Sequence, residues 1–440
     1  MIAGIPRAPP VPLQGDEECR DPPLHRLTVK WGGIRRTSLL ENGDGQGNRW
    51  YHPGCVHVGL VLTGGGARAA YQAGALLALA EVLPRGAVPF RTMCGVSAGG
   101  LNAAFLGAWR GDLEDAGQRL RDLWLELSPE RVFRTDSARM IGIGTRWMRD
   151  LSAGGLFHRS RINFLLDATP LRDFLHERLP LADLRRNIAS GAIRGFAVTA
   201  TSYATNAAVT FFDGAPDIQP WVRATRVGVR TQIRLDHVMA SASIPIFFPP
   251  VRIQGAWYGD GSVRMTAPLS PAIHMGAERL LVIGVRRWRE PSELQPARPP
   301  SRREALPPSE IAGTLLNAVF LETIEADVER LEMVNRLVER LPEERRGTLR
   351  SIPTLVLRPT RDLGQLAGDQ YRRFPRFLRY VLSGIGAHAD SGSDLLSYLA
   401  FEPVYVGRLL ELGYEDTLAR RGEIERFFGE ARDAKVSLRA

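Results

Sequence analysis

Twice between His57 and Trp109 the chain passes from a short strand-like run through glycine into a stretch of helix formers. No other feature limits its fold so strongly. The first unit is His57–Thr63, Gly64-Gly65-Gly66 and Ala67–Leu83, which Pro84 stops; the second is Phe90–Cys94, Gly95 and Gly99–Trp109. Short apolar runs bounded by glycine fit strands buried on both faces, and the alanine- and leucine-rich runs after them favour helix. Strand and helix alternating in this way build a parallel sheet covered by helices, because parallel neighbours need a crossover. The fold class is therefore α/β. Further strands are expected at Ile193–Thr201, Ala207–Phe212, Leu280–Val285 and Ile352–Leu357.

A chain of 440 residues exceeds one average domain. Residues 1–54, rich in Pro, Gly and charge without a sustained period, read as a flexible N-terminal tail. Residues 55–287 carry the α/β pattern, and 288–308, rich in Pro and Arg, read as a linker or long surface loop. Residues 309–440 are expected to be mostly helical and to pack on the α/β domain. There Ser309 supplies an N-cap, and Leu315, Leu316, Val319, Phe320 and Ile324 follow helical spacing toward about Leu341.

Composition excludes several classes. No window approaches the ~20 apolar residues of a membrane span, so no transmembrane segment is expected. The N-terminus lacks the basic stretch and apolar run of a signal peptide, and Cys19, Cys55 and Cys94 cannot form a complete disulfide set. A reducing, cytoplasmic setting follows. The net charge of +9 is carried almost wholly by arginine, with lysine only at Lys30 and Lys435. It suits an anionic membrane surface or nucleic acid, but no aromatic–basic pattern accompanies it, so no nucleic-acid partner is expected. No metal-ligand spacing such as H-E-x-x-H or paired C-x-x-C is present.

Three motifs carry chemistry. Gly95-Val96-Ser97-Ala98-Gly99 is a G-x-S-x-G elbow in the strand-to-helix context that such a corner needs, with small neighbours at Gly95 and Gly99. It presents Ser97 as a nucleophile. Thr63-Gly64-Gly65-Gly66-Ala67-Arg68 opens a helix and leaves amides free to hold an oxyanion, with Gly65 and Gly66 the expected donors. Arg68 is expected either to brace this loop or to face acidic headgroups. The same run matches the dinucleotide pattern G-x-G-x-x-A, but the second strand ends at Cys94-Gly95-Val96-Ser97 without the carboxylate that a nicotinamide site wants. The third motif is Trp257-Tyr258-Gly259-Asp260-Gly261-Ser262, behind the apolar, proline-fixed segment Ala240–Pro250. That segment should shield Asp260, and desolvation makes a carboxylate a better base.

Eight histidines offer a possible triad. His274, in an expected helix Pro271–Arg279, fits the order Ser…Asp…His, and His388 does so only if the C-terminal region reaches the site. No histidine sits in a glycine-bounded turn as Asp260 does, which favours Asp260 taking the Ser97 proton directly. A conventional α/β-hydrolase esterase also places its glycine loop farther ahead of the elbow than the roughly thirty residues here.

In this order and spacing the three motifs, over about His57–Val285, resemble the patatin-like phospholipases. The stretches Leu165–Arg172, Ala240–Pro250, Leu395–Pro403 and Leu412–Asp416 add to the likeness, the last two resembling the helical extension of larger bacterial members. The resemblance implies a three-layer α/β/α sandwich with a mostly parallel central sheet and a largely helical C-terminal extension. It implies a Ser97–Asp260 dyad, an oxyanion loop at Gly64, Gly65, Gly66 and Arg68, supporting glycines at Gly95, Gly99 and Gly261, and no cofactor. The implied substrate is a lipid acyl ester met at a membrane surface, the enzyme being peripheral to it; a non-catalytic lipid-binding protein on the same fold is the alternative. Two positions depart from the family pattern. Ala69 stands where glycine is common, and Ser262 stands where Gly or Ala usually follows Asp-Gly, close enough to lower the Asp260 pKa.

Overall fold

All five residues of β1 (Val58–Leu62) are buried, as a central parallel strand covered on both faces requires. Around it, in chain order, lie α1 (Ala70–Val82), β2 (Phe90–Val96), α2 (Ala98–Ala108), α3 (Leu113–Glu126), α4 (Thr169–Arg178) and α5 (Leu181–Ala189). There follow β3 (Gly195–Ser202), β4 (Ala208–Gly214), β5 (Trp221–Arg223), β6 (Arg226–Arg230), α6 (Leu235–Ser241), β7 (Val251–Ile253), β8 (Ala256–Asp260) and β9 (Arg279–Ile283). The last elements are α7 (Pro308–Phe320), α8 (Thr323–Arg340), β10 (Thr354–Leu357), α9 (Ser393–Leu399), α10 (Pro403–Ala419) and α11 (Arg421–Asp433). The computed structural model describes residues 57–86, 88–134, 164–288, 308–320, 323–367 and 393–433, with 142, 145, 379 and 383 as isolated positions. Contacts divide the chain into 1–47 and 48–440, and every described residue lies in the second unit. The expected tail and nearly all of the expected linker fall outside the described residues.

The sheet order is β10-β9-β1-β2-β3-β4-β6-β5, with β8 pairing with β3 and β7 off this path. From β10 to β3 every neighbour is parallel, while β4 and β8 run antiparallel to β3. Alternate strand residues feed two cores, as the two-residue pleat period demands. Leu60, Leu62, Met93, Phe196 and Ile283 point toward α1, α2, α3 and α10. Val61, Cys94, Ala197, Leu280 and Val282 point the other way, against Ala272, Met275, Ile324 and Val328. The result is a three-layer sandwich with a mostly parallel sheet and a helical C-terminal region.

Buried over most of its surface, α1 packs against both α3 and α10. It meets α10 backbone to backbone: a Cβ on Gly74 would lie 2.0 Å from the Leu410 carbonyl oxygen, and one on Gly413 2.0 Å from that of Tyr71. Neither neighbour is a flexible side-chain tip, so Gly413→Ala is expected to cost about 3 kcal/mol, read as a lower denaturant midpoint. An unchanged midpoint would mean that the helices separate without penalty.

One expectation needs adjusting. The helix expected from Ala67 begins as a tight 3-10 turn, Gly66–Ala69, before α1 proper. The described residues of the stretch expected to be helical from Ser309 toward Leu341 are helical, in α7 and α8. Strands β5 to β8 were not expected. They are short and half-exposed, with Val222 and Val229 open to solvent, so they lack a long apolar run.

Candidate active site

Ser97 occupies the corner between β2 and α2 with φ 53° and ψ −133°, a backbone strain that a nucleophile elbow stores. The flanking glycines are steric necessities. A Cβ on Gly95 would lie 2.4 Å from the Gly99 carbonyl oxygen, and one on Gly99 2.4 Å from those of Leu62 and Thr63. The Ser97 amide is already engaged: it donates to Ser241 Oγ at 2.9 Å, and that hydroxyl donates to the Thr199 carbonyl at 2.6 Å. Ser241 and α6 thus fix the corner from below. The motif pattern missed Ser241; its only signal is a polar residue within the apolar run Val238–Ile244.

The glycine loop lies beside the corner. A Cβ on Gly64 would lie 2.6 Å from Ser262 Oγ and 3.0 Å from Ser97 Cβ, so only glycine lets the loop meet elbow and aspartate motif together. Gly66 is left-handed, at φ 57°. The amides of Gly65 and Gly66 have no hydrogen-bond partner among the described residues and head the α1 segment, where a negative charge is favoured. A buried relay holds the loop's carbonyls: Gln72 Nε2 donates to Thr63 at 2.8 Å, and Asn102 Nδ2 donates to Ala69 at 3.0 Å and to Gln72 Oε1 at 2.9 Å. Arg68 is buried and turned toward α9, where Nε donates to Ser397 Oγ at 2.6 Å and Nη2 to Asp394 Oδ1 at 2.8 Å. Of its two expected roles, bracing is the one this geometry permits. A buried guanidinium has no access to headgroups.

Asp260 ends β8, opposite Ala200 of β3, and is fully buried. Its amide donates to the Ser243 carbonyl at 2.8 Å, and its carbonyl accepts from Thr201 Oγ1 at 2.7 Å. The Ala240–Pro250 segment therefore covers it directly. Gly261 follows because a Cβ there would lie 2.0 Å from the Thr199 carbonyl oxygen. Burial pushes the Asp260 carboxyl up to about 7, against the opposing pull of the Ser97 hydroxyl first and the Ser262 amide and hydroxyl after it. The Ser262 amide donates to Oδ1 at 2.9 Å. Oδ2 and the Ser262 hydroxyl lie near enough to donors and acceptor to feel them, without a well-aligned hydrogen bond.

The histidines go elsewhere. His274 stacks on Trp221 with ring centroids 4.6 Å apart, and His237 accepts from the Arg234 amide and packs on Phe211. His388 lies outside the described residues. Among the described residues no group of three or more His, Cys, Asp or Glu is placed to hold a metal ion.

On the far side of Ser97 an apolar cavity opens between α2, α3, α4 and the Ala242–Phe248 loop, lined among others by Leu101, Trp124, Leu175, Ile244 and Phe401. It encloses about 640 Å³ of atom-free space, part of it open to solvent. That falls in the range of small-molecule sites. Trp124 is pinned there by donating to Asn102 Oδ1 at 2.8 Å and by stacking on Phe401.

The parallel sheet thus offers a serine at a strand–helix corner beside an apolar cavity. Residues 60–273 match the family model described as patatin-like phospholipase. Among solved structures it is similar to human GIVD cytosolic phospholipase A2 in complex with methyl gamma-linolenyl fluorophosphonate and terbium chloride. That match has 15% identity over 86% of this chain and 60% of that one, with a TM-score of 0.41. It is also similar to VipD from Legionella pneumophila, at 14% identity over 83% of this chain and 67% of that one, TM-score 0.32. A third is full-length SpcU in complex with full-length ExoU from the type III secretion system of Pseudomonas aeruginosa, at 17% identity over 83% and 77%, TM-score 0.24. The chain spans 60% of the length of the first of these. No match is found among the curated proteins.

Proposed function

We propose that the protein hydrolyses fatty-acyl esters of lipids through an acyl-enzyme on Ser97, with Asp260 as the only general base. The observation that carries the reading is the buried carboxyl raised to about 7 beside the Ser97 hydroxyl. A base poised near neutral pH can take a proton and return it. Ser97 Oγ bonds to the ester carbonyl carbon while its proton passes to Asp260, and the Gly65 and Gly66 amides hold the oxyanion. Collapse breaks the ester C–O bond, and Asp260 returns the proton to the leaving alcohol. A water then attacks the acyl carbon, giving its proton to Asp260, and the fatty acid leaves as Ser97 recovers its hydrogen. Phospholipids, lysophospholipids and acylglycerols fit this chemistry and the apolar cavity.

No described helix is long and apolar enough to cross a membrane, so the reading has the enzyme meet its substrate at a lipid surface. The decisive experiment treats the protein with a fluorophosphonate, maps the adduct by mass spectrometry, and then runs a substrate panel. An adduct at Ser97 with fatty-acid release supports the reading. Liposome binding without an adduct or product would leave a non-catalytic lipid binder. The cavity adds a specificity test: Leu175→Trp fills it beside Trp124 and is expected to lower kcat/KM for long-chain esters about tenfold or more, sparing short-chain ones. Equal loss on both would remove the cavity from substrate binding.

A further inference from the structure

The matched family domain ends at residue 273, yet the loop assigned to hold the oxyanion is gripped by a helix some 120 residues farther on. Three residues of α9 make the grip. Arg68 Nε donates to Ser397 Oγ at 2.6 Å, Arg68 Nη2 donates to Asp394 Oδ1 at 2.8 Å and to the Asp394 carbonyl at 3.3 Å, and the guanidinium lies 4.7 Å from the Tyr398 ring centre. The main chains touch as well, since a Cβ on Gly66 would lie 2.3 Å from the Tyr398 carbonyl oxygen. On the other side the loop abuts Ser97 and Ser262 through Gly64. It has no slack in either direction.

The side chain of Arg68 is 3% exposed and that of Asp394 37%, so the cation is the buried member of the pair. A buried guanidinium deprived of its carboxylate is strongly destabilised and must move or admit water. Arg68 belongs to the same turn as the amides at issue, with its own amide donating to the Gly65 carbonyl at 3.2 Å. Any movement of its side chain is therefore passed to the donors. Tyr398 extends the brace by donating to Asn317 Oδ1 of α7 at 3.1 Å, and α7 also packs on the Gly261–Val263 turn behind Asp260.

We propose that Asp394 and Ser397 are positioning residues for the reaction: acting through Arg68, they hold the Gly65 and Gly66 amides where the oxyanion forms. The C-terminal helix α9 thereby completes a site whose reacting groups all lie elsewhere. This rests on the Ser97–Asp260 reading above.

The test uses the full chain with Asp394→Ala, Asp394→Asn, Arg68→Ala and the Asp394→Ala/Arg68→Ala double variant. Each is measured for kcat and KM on a p-nitrophenyl ester, for the rate of fluorophosphonate inactivation, and for Tm. Asp394→Ala is expected to lower kcat about 30-fold with KM within about twofold, since donors displaced by a fraction of an ångström fail the transition state rather than the substrate. The inactivation rate falls in parallel. The double variant loses no more than Arg68→Ala alone, because the carboxylate acts only through the guanidinium. Thr360→Ala is the control: it removes another C-terminal hydrogen bond, to Asp416 Oδ1 at 2.7 Å, and is expected to lower Tm with kcat intact. Should Asp394→Ala fail to fold, Asp394→Asn, which keeps the shape and loses the charge, supplies the same comparison. An unchanged kcat in a folded Asp394 variant, or losses that add in the double variant, would overturn the proposal. Activity persisting in Ser97→Ala would instead overturn the reading beneath it.

Discussion

Ser97→Ala is expected to abolish ester hydrolysis, lowering kcat/KM by at least about 10⁴-fold, and to end fluorophosphonate labelling while the protein stays folded. The hydroxyl makes no hydrogen bond that the fold depends on; what anchors the corner is the main chain, through the Ser241 bridge and the helix start at Gly100 and Leu101. Alanine keeps those bonds and the same strained φ. Ser97→Gly is equally inactive but relieves the strain, and is expected to raise stability by about 1 kcal/mol. Residual hydrolysis above about 1% of the parent rate in either variant, with contamination excluded, would place the nucleophile on another side chain.

Asp260→Asn is expected to lower kcat about 10³-fold and, above pH 7, to make the protein more stable. The two effects share one cause. In the unfolded chain an aspartate releases its proton near 3.9, whereas in the fold this carboxyl keeps it to about 7. Between those values the folded protein holds a proton that the unfolded chain has lost, so stability falls as pH rises through the window and levels off above it. The loss reaches at most about 4 kcal/mol, and asparagine escapes it because it never ionises. Urea unfolding at pH 5 and pH 8 measures this: the parent should weaken relative to the variant at pH 8. Equal pH dependence in both proteins would show an ordinary carboxyl, unfit as the sole base. Catalysis runs opposite to stability, because the base must be ionised, so kcat should climb with pH to a plateau above about 7.

Much of this site is legible without coordinates, because its demands are local. A strand-to-helix corner with a serine needs Gly95 and Gly99 within touching distance of other main chains, and a loop that offers amides needs glycines; both leave a mark on consecutive residues. β1 and β9 are legible for the same reason, as buried parallel strands spell out largely apolar runs, and β2 is legible from the glycine turn and helix that follow it. Strands β5 to β8 are not, since a half-exposed strand of three to five residues leaves no period to detect. The supports of the site are invisible for another reason. Ser241 lies 144 positions from Ser97 and Asp394 lies 326 from Arg68, so their roles exist only once the chain has folded. Arg68 shows the limit well: its position announces importance, but not the direction in which its side chain turns.

The placing of β9 bears on how such a protein can be divided. The segment matching the family model stops at residue 273, before β9 pairs with β1 and before β10 closes the row beyond β9. Expressing that segment alone would strip β1 of a neighbour and leave the middle of the sheet as a raw edge, a template for other chains. The recognisable half is therefore not a portable module; excised, it should collect as insoluble aggregate.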